Sequence, residues 1–209
     1  MTPVRRSTST SLPTRFGDFQ LILYRTLDVE EHMALVAAPP DDLGSDGAVL
    51  VRIHSECLTG DLFGSRRCDC GQQLEVSLRR LSHHGGVLLY LRQEGRGIGL
   101  TRKIDAYRLQ EQGLDTVEAN LSLGLPEDAR DYGVGAAILA DLGVRRIRLL
   151  TNNPAKVEDM ERHGIEVVER LPLVITPNAS NLRYLQTKRD RMGHLLDASL
   201  GAVSTDGAP

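Results

Sequence analysis

Val87-Leu-Leu-Tyr-Leu91 runs straight into Arg92-Gln-Glu-Gly-Arg-Gly-Ile-Gly99, and the reading of the whole chain turns on this junction. The first five residues are a short apolar run, the pattern of a buried strand. The glycines at 95, 97 and 99 let backbone amides approach an anion, and Arg92 and Arg96 bring charge to it. The loop lacks the Gly-Lys-Ser/Thr ending of a P-loop, and an ordinary strand-to-helix turn would use the same glycines. A helix follows, with Ile98, Ile104 and Tyr107 as its expected inner face and Gly113 as its stop. Strand, loop, helix is the unit of an α/β layer.

The same alternation continues on both sides. Upstream, Leu74, Leu78 and Leu81 recur at helical spacing after Gly71, and His83-His84-Gly85-Gly86 ends that helix with two solvent-facing histidines. Downstream, Asp115-Thr-Val-Glu-Ala-Asn120 reads as a polar loop. Pro126-Glu-Asp-Ala-Arg-Asp-Tyr132 reads as a helix start, with Val134, Ile138 and Leu142 inward and Gly143 closing. Arg130 fits that start poorly, because a cation at a helix N-terminus faces the wrong end of the dipole. Residues 145–151 and 165–168 read as strands, and 181–196 as a last amphipathic helix with Leu182, Leu185, Met192 and Leu196 inward. Asn153 and Pro154 are an N-cap and a first helical residue. With Thr151 and Lys156 nearby, that helix start either simply caps itself or also holds a phosphate.

The first third is richer in strands, with 19–24, 33–38 and 48–53 expected as three of them. Residues 1–15, dense in Ser, Thr and Arg, read as a flexible tail, as do 197–209. The expectation is a single mixed α/β domain over 16–196, strand-rich at first and alternating afterwards.

All three cysteines fall between Cys57 and Cys70: Cys57-Leu-Thr-Gly-Asp-Leu-Phe-Gly-Ser-Arg-Arg-Cys68-Asp-Cys70. Thiolates bind zinc strongly, and a site with three protein ligands keeps a fourth position open for chemistry. The alternatives are packed thiols, or a disulfide with one thiol left over. Cys68 and Cys70 are too close in sequence to pair comfortably. The net charge of −3 speaks against bulk binding of nucleic acid, while local runs of arginine suit a small anion. No apolar run approaches the length of a membrane span. The N-terminus lacks the apolar region of a secretory leader. Unpaired thiols fit a reducing cytoplasm.

Five segments together resemble GTP cyclohydrolase II. They are Arg52-Ile-His-Ser-Glu-Cys-Leu-Thr-Gly-Asp61, Cys68-Asp-Cys-Gly71, Arg92-Gln-Glu-Gly-Arg-Gly-Ile-Gly-Leu100, Asp115-Thr-Val-Glu-Ala-Asn120 and Leu149-Leu-Thr-Asn-Asn-Pro154. The resemblance runs from about Phe16 to Leu196. It implies hydrolysis of GTP with loss of guanine C8 as formate and release of pyrophosphate, the first committed step of riboflavin synthesis. The product is a diaminopyrimidinone still bearing ribose 5-phosphate. It implies one catalytic Zn²⁺ per subunit on Cys57, Cys68 and Cys70, with Mg²⁺ on the triphosphate. It carries over Asp128 as proton acceptor, Arg130 as nucleophile toward the α-phosphate, and Tyr107 for completing ring opening. An arginine pKa above 12 makes stabilisation of phosphate the firmer role for Arg130. The nucleotide positions carried over are Arg52, Ile53, His54, Ser55, Glu56, Gln73, Glu94, Gly95, Arg96, Thr116, Thr151 and Lys156. A homodimer is implied, with neither nucleic acid nor membrane as partner. Many relatives are fused to a second riboflavin enzyme, for which this chain is too short. Two other readings are a variant of the same fold that stops at a formylamino intermediate, and a zinc- or nucleotide-binding regulator without catalysis.

Overall fold

The computed structural model describes residues 3–37, 47–196 and 200. The chain divides into two compact units. The first takes in residues through His54, Leu74–Arg92 and Asp131–Leu173; the second takes in Ser55–Gln73, Gln93–Arg130 and the residues from Val174 onward.

The first unit is built on one seven-stranded sheet of β1 (Val4–Thr14), β2 (Gly17–Thr26), β3 (Glu31–Ala37), β4 (Val49–Ser55), β5 (Gly86–Leu91), β6 (Arg146–Leu150) and β7 (Glu166–Leu171), ordered β1-β2-β3-β5-β4-β6-β7. β1, β2 and β3 form an antiparallel meander, and β3 pairs antiparallel with β5. β4, β6 and β7 run parallel. Parallel neighbours need crossovers, which helices supply. That accounts for the change from a strand-rich start to alternating strands and helices.

Side chains alternate across a strand, so β4 feeds two cores. Val49, Val51 and Ile53 face Leu89, Leu91, Ile147 and Leu149 on one side, closed by Val134, Ile138 and Leu139 of the helix Gly133–Asp141. Leu50 faces Leu88 and Leu150 on the other, with Leu78 and Leu81 of the helix Cys70–His84. His83 and His84 are exposed, as expected. The helix Pro154–Arg162 starts as the sequence predicts, with Asn153 Oδ1 accepting from Ala155 N at 3.1 Å and Pro154 in the first turn.

Three expectations need correction. Residues 4–14 are not a tail but the edge strand β1, paired antiparallel with β2 through a turn at Arg15 and Phe16, with one register shift between Arg6 and Thr8. Eight of its eleven residues are exposed, so no period-two apolar signal exists to read. Its backbone pairing and the Arg6–Asp141 ion pair at 2.9 Å hold it. Residues 115–120 are not a loop: they cap and open a helix, Thr116–Ser122. Residues 126–132 are not a helix start; the helix begins at Gly133. Residues 197–199 and 201–209, expected as a tail, lie outside the described residues, as does Ala38.

The second unit carries α1 (Leu58–Asp61), the first residues of α2 (Cys70–His84), a 3-10 turn (Glu94–Gly97), α3 (Leu100–Glu111), α4 (Thr116–Ser122) and α7 (Leu182–Met192). The helices α5 (Gly133–Asp141) and α6 (Pro154–Arg162) belong to the first. Asp115 accepts from Val117 and Glu118 amides, and Glu118 answers from its side chain to the Asp115 amide, a reciprocal cap that fixes the α4 start. α7 ends at Gly193 in the left-handed conformation. Leu185 is its buried apolar anchor, while Leu196 is buried beyond the helix end.

Candidate active site

Cys57 caps α1 and Cys70 opens α2, so two short helix starts bring the thiols together. The three Sγ atoms lie within 4.8 Å of one another, with Cys57 and Cys68 at 3.7 Å. A tetrahedral metal with bonds of about 2.3 Å to sulfur holds its thiolates about 3.8 Å apart. The trio therefore fits zinc, and no aspartate, glutamate or histidine among the described residues joins it as a fourth ligand. All three cysteines are free of disulfides.

Two glycines permit this approach. A Cβ on Gly60 would lie 2.9 Å from Cys68 Sγ and 3.2 Å from Cys57 Sγ. A Cβ on Gly71 would lie 2.3 Å from the Gly60 carbonyl oxygen. A larger residue at Gly60 would crowd the thiols directly, and one at Gly71 would displace the Gly60 backbone that packs against them.

The trio shares its protons unequally. Hydrogen bonds from Cys68 and Cys70, with the Lys103 charge behind them, hold the Cys57 thiol far below its usual range. Cys68, engaged with Cys57, is pushed up to about 11, and Cys70 goes well above the ordinary thiol value for the same reason. Metal binding to thiols requires their deprotonation, so a cation bound here would draw protons from the trio.

Tyr107 reaches this cage through Thr59, whose Oγ1 lies 3.3 Å from Tyr107 Oη and 3.8 Å from Cys57 Sγ. Burial pushes the Tyr107 phenol up to about 12, so it stays protonated at neutral pH. Asp69, buried between two of the cysteines, accepts from Gln73 Nε2 at 2.5 Å and pairs with Lys188 of α7 at 3.3 Å. Gln73, a nucleotide position by resemblance, is thereby engaged in supporting the cysteine loop.

The glycine-rich turn lies on the same unit. Gly95, Arg96, Gly97 and Gly99 all have positive φ, Arg96 at 64°. A left-handed arginine is uncommon and costs about 1 kcal/mol or more. It persists because its surroundings hold it: Ala129 N donates to Arg96 O at 3.0 Å, and the guanidinium donates to Thr116 Oγ1 at 3.2 Å and to the Glu127 carbonyl at 3.3 Å. Arg96, Thr116 and the 127–130 segment are therefore brought together. In that segment Arg130 grips the Asp128 carboxylate through Nε, at 2.8 Å to Oδ1, and through Nη2 to Oδ2. Burial alone would raise the Asp128 pKa, but the Arg130 hydrogen bonds and charge outweigh it and hold the carboxyl below its ordinary value.

Glu94, a nucleotide position by resemblance, is also a hub of hydrogen bonds within the second unit. Its carboxylate accepts from Leu58 N at 2.6 Å, from Gly95 N at 2.7 Å and from Lys103 Nζ at 2.8 Å. Ile104 is 42% exposed, and Lys103 takes the inner place on α3 that the apolar pattern assigned to it. Lys103 is the residue sequence reasoning passed over. No sequence signal marks it, because a lysine on a helix is ordinarily exposed.

The remaining nucleotide positions divide between the units. Ser55 and Glu56 belong to the second, where Ser55 Oγ is buried with no hydrogen-bond partner among the described residues. Arg52, Ile53, His54, Thr151 and Lys156 belong to the first. There Lys156 Nζ donates to the Ile53 carbonyl at 2.8 Å, Arg52 donates to the Leu150 carbonyl at 3.0 Å, and His54 stacks on Tyr90. Thr151 Oγ1 accepts from Asn153 N at 3.1 Å. These five sit on the ends of neighbouring strands β4 and β6 and the first turn of α6.

A seven-stranded mixed sheet, and a unit that sets three thiols able to hold a metal beside a glycine-rich cationic turn, define a protein of the α/β class. The family model of GTP cyclohydrolase II matches residues 5–172, and the chain belongs to that family. The match starts within β1, which places that strand inside the family fold. The riboflavin biosynthesis protein RibBA of Chlorobium phaeovibrioides is 55% identical over 201 residues, 95% of this chain and 48% of its own. RibBA of Mycobacterium marinum is 58% identical over 196 residues, covering 91% and 46%, and that of Bacillus cereus 56% over 198, covering 94% and 49%. The chain spans about half the length of these curated relatives. A solved two-domain 3,4-dihydroxy-2-butanone 4-phosphate synthase, RibBX from A. baumannii, matches over 71% of this chain and 34% of its own at 25% identity and a TM-score of 0.38. No helix among the described residues is long and apolar enough to cross a membrane.

Proposed function

We propose that this chain is a zinc-dependent GTP cyclohydrolase II. It hydrolyses GTP to 2,5-diamino-6-(5-phospho-ribosylamino)pyrimidin-4(3H)-one, formate and pyrophosphate, at the entry to riboflavin biosynthesis. The observation that carries the reading is the cage of three thiols with no fourth carboxylate or imidazole ligand among the described residues. A metal held by Cys57, Cys68 and Cys70 supplies, when bound, water acidified to a pKa of about 7 and hence a nucleophile for the poorly electrophilic C8 of guanine.

The chain's own residues do the rest. Arg130 and Arg96 bring fixed positive charge to the phosphates, as arginines do in phosphoryl transfer. Asp128, kept ionised beside Arg130, can take a proton. Tyr107, protonated and linked through Thr59 to the cage, can give one to an opening ring. Ser55, with its buried unpartnered hydroxyl, is suited to a polar contact with the nucleotide. Arg52, Ile53, His54, Glu56, Gln73, Glu94, Gly95, Thr116, Thr151 and Lys156 complete the nucleotide set, and Mg²⁺ accompanies the triphosphate. The working form is a cytoplasmic homodimer with no nucleic acid or membrane partner.

Incubating the purified protein with GTP and Mg²⁺ and identifying products by mass tests this. Equimolar formate, pyrophosphate and the diaminopyrimidinone are expected. A product retaining the formyl group would instead mark the variant that stops early, and unchanged GTP would mark a regulator.

A further inference from the structure

Lys103 has no part in the roles above, yet it is one of the few charged side chains buried in the second unit. It lies on the inner side of α3, its side chain only 9% exposed. Its ammonium sits 3.2 Å from Cys57 Sγ and 2.8 Å from Glu94 Oε1. The Glu94 carboxylate also accepts from the amide of Leu58, the residue after Cys57, and from the amide of Gly95, which opens the glycine-rich turn. One ammonium and one carboxylate therefore tie a cage sulfur, the backbone beside it and the cationic turn into a single hydrogen-bonded set.

Charge gives the set a purpose. Three thiolates around a divalent cation leave a net charge of −1 in a buried place. Such a charge is costly unless countered. Lys103 is the ammonium in direct contact with a cage sulfur. Partners that contact metal ligands in this way orient them and tune the metal.

We propose that Lys103 is a positioning residue for the metal centre: through its hydrogen bond to Cys57 Sγ it directs one ligand and offsets negative charge at that sulfur, and through Glu94 it registers the cage to the glycine-rich turn. The proposal rests on reading the three thiols as a metal site.

The test is metal binding rather than turnover. Metal-free wild type, Lys103→Met and Lys103→Arg are titrated with Co²⁺ against a competing chelator, and the sulfur-to-cobalt charge-transfer band is recorded. Lys103→Met fills the space without the charge. It should bind Co²⁺ about 10- to 100-fold more weakly, the usual effect of losing such a partner. Its band should move to lower energy, because the hydrogen bond that stabilised the sulfur lone pair is gone. Lys103→Arg keeps the charge and should recover part of the affinity. Wild-type affinity with an unmoved band in Lys103→Met overturns the proposal while leaving the metal reading intact. A wild type that takes up no Co²⁺ overturns both. Should Lys103→Met not fold, the band of Lys103→Arg decides: the rigid guanidinium cannot copy the single-nitrogen bridge, so an unchanged band refutes it.

Discussion

The two units of this chain are held by different forces. In the first, two apolar layers flank a sheet, and Tyr24, Leu89, Leu91, Ile138, Ile147 and Leu149 are essentially inaccessible to water. In the second, the buried set around the thiols includes Asp69 and Lys103, and the thiols themselves are packed against glycine backbone. A core of the first kind tolerates hydrophobic exchange, since volume and pattern carry it. A set of the second kind fails when one member is removed, because a buried charge or donor is left unmatched. The thiols and the glycine-rich turn belong with the second kind.

The largest expected effect breaks the second unit at its centre. Cys57→Ser, Cys68→Ser or Cys70→Ser removes one of three ligands, and formate release should be abolished together with bound zinc, read by metal analysis of the purified variants. Full activity in a metal-free variant would refute the zinc role. Leu89→Ala is the matching break in the first unit. It should cost about 2–5 kcal/mol of unfolding free energy by urea titration, while the folded fraction still binds metal. Gly60→Ala sharpens the contrast, since it adds one methyl 2.9 Å from Cys68 Sγ. A loss of about 1–3 kcal/mol is expected, as for overpacking elsewhere, together with weaker metal binding that Leu89→Ala does not show.

The smallest effect is a slope in pH. Burial pushes Tyr24, whose hydroxyl donates to Asp141 at 2.7 Å, and Tyr107 up to about 12. In the unfolded chain both ionise near ~10. Their contribution is complete below that value. It is lost as pH rises from about 10 to about 12, because the unfolded chain releases protons the folded one retains. Urea midpoints measured across that range should fall, and Tyr24→Phe and Tyr107→Phe should each flatten the fall. Equal slopes in all three proteins would contradict the burial of these phenols.

The same contrast explains what could be read from the residues alone. Strands such as 87–91 announce themselves because their side chains alternate between apolar layers. β1 does not, since an exposed edge strand made of Ser, Thr and Arg is held by its backbone. The capping box of Asp115 and Glu118 was present in the sequence, but the polarity of the segment obscured it. Pro126 and its acidic followers imitate a helix start; in the structure Asp128 is turned to Arg130 instead. The cysteine cluster was legible because thiols are rare and close in sequence. Lys103 was not, because a lysine on a helix is ordinarily exposed, and only the fold shows that it meets Cys57 and Glu94.

The central claim is that three sulfurs hold one metal with a place left open. X-ray absorption at the zinc edge of the loaded protein, without GTP, tests it most directly. The expected first shell is three sulfurs at about 2.3 Å and one lighter atom. A shell of four sulfurs, a shell with a histidine ring, or zinc with no sulfur neighbours would contradict the account.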